Sequence, residues 1–152
     1  MDGQRDDILV RRLRSDDAPR LTKIDRAITG RNRAAWYEGK LKRALEDSDV
    51  CVSLGAEAEG RLVGAVLGSL HYGEFGLPQP IAVLDTILVE PDSVGRGVGT
   101  ALLDQLVQNL RALGIERLRT EVAWDEHALN RFLGRRGFKP APRLVLELLL
   151  TG

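Results

Sequence analysis

One cysteine, Cys51, in 152 residues leaves no partner for a disulfide within the chain and suits a reducing compartment. In its apolar surroundings it reads as a small core residue rather than a nucleophile. Net charge is also missing: 22 basic residues balance 22 acidic ones, so nothing draws the whole molecule to nucleic acid or to an anionic membrane. The arginine clusters Arg11-Arg12-Arg14, Arg31-Arg33 and Arg135-Arg136 read as solvated faces. No apolar run reaches the roughly 18 residues that a membrane span needs. The opening MDGQRDD is polar and acidic, unlike a signal peptide. A cytoplasmic protein with no nucleic-acid or membrane partner is expected. There is no repeat, linker or low-complexity segment, so residues 1–152 are expected to form a single domain with a sizeable core.

What the chain does carry is an alternation of strands and helices. Residues 8–14 read as a strand, followed by Ser15 as a helix cap and a stripe of Leu21, Ile24, Ala27 and Ile28. Gly30 breaks that helix, and residues 34–45 begin another, with Trp36 and Tyr37 near its start. Residues 50–56 and 61–71 read as two strands joined at Glu59-Gly60. Gly64 and Gly68 inside the second suggest close packing or a bulge. His71 reads as structural or solvent-facing rather than as a base. Residues 73–80 form a loop of turn formers, and residues 81–89 form a fourth strand. Asp85 is an acid within that apolar strand. Burial without a partner would be costly, so it either faces a cleft or is paired. Residues 116–123 read as a fifth strand, and Asp125 can cap a helix over 126–136 closed by Gly137. Residues 143–150 read as a final strand whose exposed edge would invite a homodimer.

The informative stretch is DTILVEPDSVGRGVGTALLDQLVQNL, residues 85–110. A β-branched strand is stopped by Pro91, which has no N–H for the ladder. Gly95, Gly97 and Gly99 then precede a helix whose apolar face is Leu102, Leu103, Leu106, Val107, Leu110 and Leu113. Bare amides at a helix N-terminus bind anions, because the first-turn N–H groups lack helical acceptors and the dipole adds about half a positive charge. A Walker loop is excluded, since Thr100 and Ala101 follow Gly99 where Lys and Ser or Thr are required. A dinucleotide fingerprint is excluded by the G-x-G-x-G spacing and its late position.

Strand, V-x-P and R-G-x-G at the head of a leucine-rich helix resemble motif A of the GNAT N-acetyltransferase superfamily, whose signature Q/R-x-x-G-x-G/A falls on Val94–Gly99. Gly97 and Gly99 match, Arg96 stands where a basic residue is common, and Val94 departs from the usual Gln or Arg. The motif layout is similar to bacterial ribosomal-protein N-acetyltransferases. The resemblance implies an α/β (α+β) GNAT fold: a mixed, mostly antiparallel sheet splayed between strands four and five, with about four helices. It implies acetyl-CoA as cosubstrate, its diphosphate held by Val94, Gly95, Arg96, Gly97, Val98, Gly99 and Thr100. Leu88 or Val89 would offer a free strand-four N–H to the thioester carbonyl. No metal is implied. The helices around Arg31, Arg33, Trp36 and Tyr37 would line the acceptor side, the two aromatics reading otherwise as packing.

Residues 121–138 resemble motif B of the same family. Glu121 falls on the position of a strand glutamate that acts as base. The family's asparagine falls on Glu126, and the tyrosine that protonates the leaving thiolate falls on Leu133; neither is present. The chemistry needs a neutral amine. A lysine lies about 3.4 pK units above pH 7, costing about 4.6 kcal/mol to deprotonate, against about 1 kcal/mol for an α-amine. Glu121 and Asp85 are the candidate catalytic acids, in that order, and Tyr72, water or the ammonium product could return a proton to the thiolate. The expected function is acetyl transfer to a primary amine, on a small molecule or a protein, by direct attack in a ternary complex. The alternative is an acetyl-CoA-binding module without turnover, acting as a sensor or oligomer component.

Overall fold

The computed structural model describes residues 7–46 and 52–151; Cys51 lies outside the described residues. Its middle strand, Arg61–His71 (β3), is an apolar run buried from Leu62 to Gly68, as a strand covered on both faces must be. Around it Ile8–Arg12 (β1), Leu54–Ala58 (β2), Ile81–Val89 (β4) and Leu118–Thr120 (β5) form one sheet in sequence order. The first four strands pair antiparallel, while β4 and β5 run parallel. The helices are α1 (Ala18–Thr29), α2 (Ala34–Glu46), α3 (Val98–Ala112) and α4 (His127–Arg135). The mixed, mostly antiparallel sheet and four helices agree with the expected architecture.

The chain divides into two compact units, Met1–Glu121 and Val122–Gly152. The first holds the sheet and α1 to α3; the second holds α4 and the tail. Within the first, side chains alternate across β3. Ala65 and Leu67 join Leu13, Leu21, Ile24, Tyr37 and Leu41 in the core beneath α1 and α2. Gly64 faces the other way, against Val98 and Leu102 of α3. Glu59 and Gly60 both take positive φ, 54° and 78°, the twist that a two-residue hairpin between β2 and β3 demands.

Two expected details differ. Ile28 is 48% exposed, and the face of α1 is completed instead by Asp25, 1% exposed. The helix is rotated because Arg33 neutralises that carboxylate, so burying it leaves no lone charge. Arg11 likewise belongs to the structure and not to a solvated face: it pairs with Asp17 and Glu57. Burial raises the Asp17 carboxyl, but the Arg11 bonds outweigh that and hold it below its ordinary value.

Residues 143–150 form no strand. Leu144, Leu146, Leu148, Leu149 and Leu150 are each more than 80% exposed. Leucine is not β-branched, and strand geometry needs a ladder partner, which these residues do not have among the described ones. No helix of the described residues is long and apolar enough to cross a membrane.

Candidate functional site

Asp85 is where β4 changes sides. Leu84 pairs with Gly68 and Thr86 pairs with Leu67, leaving Asp85 as the extra residue of a bulge. Upstream, Ala82 donates its N–H to Arg117 O at 3.0 Å, toward β5. Downstream, Glu90 donates its N–H to Val63 O at 2.7 Å, toward β3. Successive amides of an extended strand point to opposite edges. Past the bulge, then, Leu88 N–H faces β3, whereas Ile87 and Val89 face the other edge. On that edge β5 pairs only from Ala82↔Leu118 to Leu84↔Thr120. The Thr120 hydroxyl donates to Leu84 O at 2.7 Å at the last rung. Among the described residues the ladder on this edge therefore ends just before Asp85.

Beyond β4 the chain makes a tight turn at Pro91–Ser93 and enters α3. Glu90 fixes the turn: it accepts from Arg20 at 2.9 Å, Arg61 at 3.0 Å and Ser93 Oγ at 3.2 Å. Partial burial would raise the Glu90 carboxyl, but the two guanidiniums prevail and hold it below its ordinary value. Arg96 donates its N–H within the turn to Ser93 O at 3.3 Å. Gly97 caps α3 with φ 84°, a left-handed conformation that glycine alone adopts readily. Among the described residues, the amides of Gly97, Val98, Gly99 and Thr100 have no acceptor. Val98 is buried beneath the loop, while Val94 and Arg96 are exposed. Four open amides at the head of a 15-residue helix make an anion cradle.

A third group lies on α1, α2 and the bulge. Arg33 donates to both Asp25 oxygens, at 2.9 and 2.6 Å, and its guanidinium lies 5.2 Å from the Trp36 ring centre. The Arg33 bonds, against burial, hold the Asp25 carboxyl below its ordinary value. Tyr37 is fully buried, and among the described residues its hydroxyl meets no partner at hydrogen-bond geometry; burial first, then the adjacent Asp25 carboxylate, raises its pKa. One turn on, Lys40 Nζ donates to Asp85 Oδ2 at 2.7 Å. The other oxygen, Asp85 Oδ1, accepts from Thr86 Oγ1 at 2.8 Å. Asp85 is thus both exposed and paired. Lys40 and Asp25 did not emerge from the sequence as site residues. Their signals were an acid in the Leu21-Ile24 stripe and a lysine four residues after Trp36, on the same helix face.

The Acetyltransferase (GNAT) family matches residues 11–138. The chain belongs to that family. It is 29% identical over 107 residues to an uncharacterized N-acetyltransferase of Methanocaldococcus jannaschii, a match covering 70% of this chain and 45% of that protein. The chain thus spans less than half the length of that relative. Its fold is similar to aminoglycoside N-acetyltransferase AAC(6')-Iy solved in complex with CoA, with TM-score 0.78, 16% identity and 95% of each chain covered. It is also similar to ribosomal-protein-alanine N-acetyltransferase from Brucella melitensis, with TM-score 0.74 and 20% identity over 94% of this chain and 99% of that one.

In this GNAT chain the remaining candidates lie outside the Glu90, Asp25 and Asp85 pairs described above. Glu121 is exposed one residue past β5, which is shorter than the expected 116–123. The strand stops there because β4 turns over at the bulge and stops supplying ladder partners. Leu133 is buried on α4, and Asn130 Nδ2 donates to Ala123 O at 3.3 Å within the same unit. Tyr72 is 68% exposed. His71 is held by Ser69 Oγ at 3.0 Å and Glu74 Oε2 at 2.7 Å, a structural bridge.

Proposed function

We propose that this protein is an acetyl-CoA-dependent N-acetyltransferase that moves an acetyl group to a primary amine by direct attack in a ternary complex. The observation that carries the reading is the continuity of two open hydrogen-bonding surfaces: the Gly97–Thr100 amides and the β4 edge from Val89 back to Asp85. Both are donors suited to a diphosphate joined to an amide-bearing arm, which is the chemistry of coenzyme A. The fold neighbour solved with CoA supports the same reading.

Acetyl-CoA supplies an activated thioester; the residues do the rest. Gly97, Val98, Gly99 and Thr100 hold the diphosphate by backbone, so Val94 in place of a polar residue costs little. Val89 N–H and Ile87 N–H face the arm and the thioester carbonyl, where a fixed donor stabilises the developing oxyanion. Asp85 orients the incoming ammonium, and Glu121 accepts its proton directly or through water. With Leu133 at the position where the motif B resemblance would put a tyrosine, the thiolate takes its proton from solvent or from the ammonium product. A small-molecule amine or a protein amine is the acceptor.

The test is thiol release from acetyl-CoA across a panel of amines and peptides. Release that depends on an amine supports the reading. Coenzyme binding with no amine-dependent release would identify a binding module instead.

A further inference from the structure

We propose that Lys40 is an internal acceptor: the protein acetylates its own Lys40 Nζ. The inference rests on the acetyl-CoA reading above. Asp85 marks the point where the β4 edge opens, and the amides that would carry the coenzyme arm, Val89 and Ile87, lead back to it from the α3 cradle. Ile87 lies two residues from Asp85, about 7 Å along the strand. An amine of the chain itself already stands at that end of the edge. Lys40 Nζ stands 2.7 Å from Asp85 Oδ2, on a flexible four-carbon stem, with Nζ 5.9 Å from the Trp36 ring centre. Both side chains of the pair remain within reach of solvent, 24% exposed on Lys40 and 29% on Asp85. Any external amine guided by Asp85 would have to displace this ammonium, and in its absence Lys40 holds the acceptor position.

The step balances without a further reagent. The Lys40 ammonium gives one proton to the Asp85 carboxylate or to water. Its nitrogen attacks the thioester carbonyl, the N–C bond forms, and the C–S bond breaks with the electron pair leaving on sulfur. The thiolate takes a proton, and the amide nitrogen loses its second one to solvent. The products are Nζ-acetyl-Lys40, the coenzyme thiol and one released proton. Acetylation removes the charge, so the pair with Asp85 is lost and the carboxylate is freed.

The experiment incubates the intact protein with acetyl-CoA and no added amine. Peptide mass spectrometry follows each lysine over time at several protein concentrations, and thermal protection by CoA is measured in parallel. Proximity predicts that Lys40 is modified about tenfold faster than Lys23, Lys42 or Lys139. The rate per chain should not depend on protein concentration, and selectivity should vanish in urea. Lys40→Arg, which keeps a cation for Asp85, should abolish acceptor-free thiol release. CoA protection with release to an external amine, but Lys40 modified no faster than the other lysines, overturns this inference and leaves the proposed function standing. A rate that rises with protein concentration overturns the internal route. Absence of CoA protection overturns both proposals.

Discussion

The two halves of β4 solve opposite problems. From Ala82 to Leu84 the strand is bonded on both edges, by β3 and by β5. From Thr86 to Val89 one edge has no ladder partner among the described residues, and it leads into a loop whose amides likewise have no acceptor among them. Glycine serves both halves differently. Opposite the closed half, Gly68 of β3 exists for space: a Cβ there would lie 2.6 Å from Val83 O. At the end of the open half Gly97 exists for conformation, at φ 84°. The same residue type is therefore structural in one place and part of a ligand cradle in the other, and substitutions can tell the two apart.

The largest effect is expected at Gly68→Ala. The obstacle is backbone and cannot swing aside, so stability should fall by about 3 kcal/mol in urea unfolding. Any loss of CoA binding should track the unfolded fraction. An unchanged urea midpoint would mean that the closed half is not tightly packed. Gly97→Val should do the reverse. Its branched side chain crowds the cradle, so CoA affinity should drop about a hundredfold, about 2.7 kcal/mol, by calorimetry, with a smaller change in stability. Intact affinity would remove the cradle from the coenzyme site. Glu121→Gln should lower turnover at pH 7 about a hundredfold with CoA binding unchanged, which stopped-flow thiol release would resolve. Equal turnover would dismiss Glu121 as the base on the open side.

A smaller effect is expected away from β4, at Asp25→Asn, which should cost about 2 kcal/mol at neutral pH by weakening a buried charged pair. Its signature is in acid. The Asp25, Asp17 and Glu90 carboxyls are held below their ordinary values, so folding favours their ionised forms. Their contribution is complete above the unfolded pKa of about 4 and is lost as pH falls through the lower folded values. The urea midpoint of the parent should therefore fall below about pH 4, and that of Asp25→Asn should fall less steeply. Parallel curves would mean that Asp25 carries no folding-linked proton.

Much of this was legible in advance, for reasons that differ by element. β3 and β4 were read to their exact ends because their apolar runs are bounded by turn formers and, after β4, by Pro91. The α3 entry was legible because Gly95 and Gly97 punctuate it, and Gly64 and Gly68 pointed to the tight spots. The short β5 was not legible. Residues 116–123 have ordinary strand character, and their pairing ends because of a bulge on a different strand. Nor was the α1 face legible, because Asp25 is buried only by virtue of Arg33, which follows the helix. The tail failed for the same kind of reason: residues 143–150 look like a strand, but a strand is a relation between two segments. Lys40 was invisible as a site residue because its partner lies 45 positions away.

The bulge at Asp85 has a consequence for how this strand can vary. A regular ladder would hand every second peptide plane to β3 without interruption, so the planes of Ile87 and Val89 would swing inward and those of Thr86 and Leu88 outward. The extra residue is what prevents this: Leu84 pairs with Gly68 and Thr86 with Leu67, so Asp85 is passed over and the alternation restarts one residue later. Which peptide planes look outward along the distal half is therefore set by where the ladder skips, not by the side chains that follow.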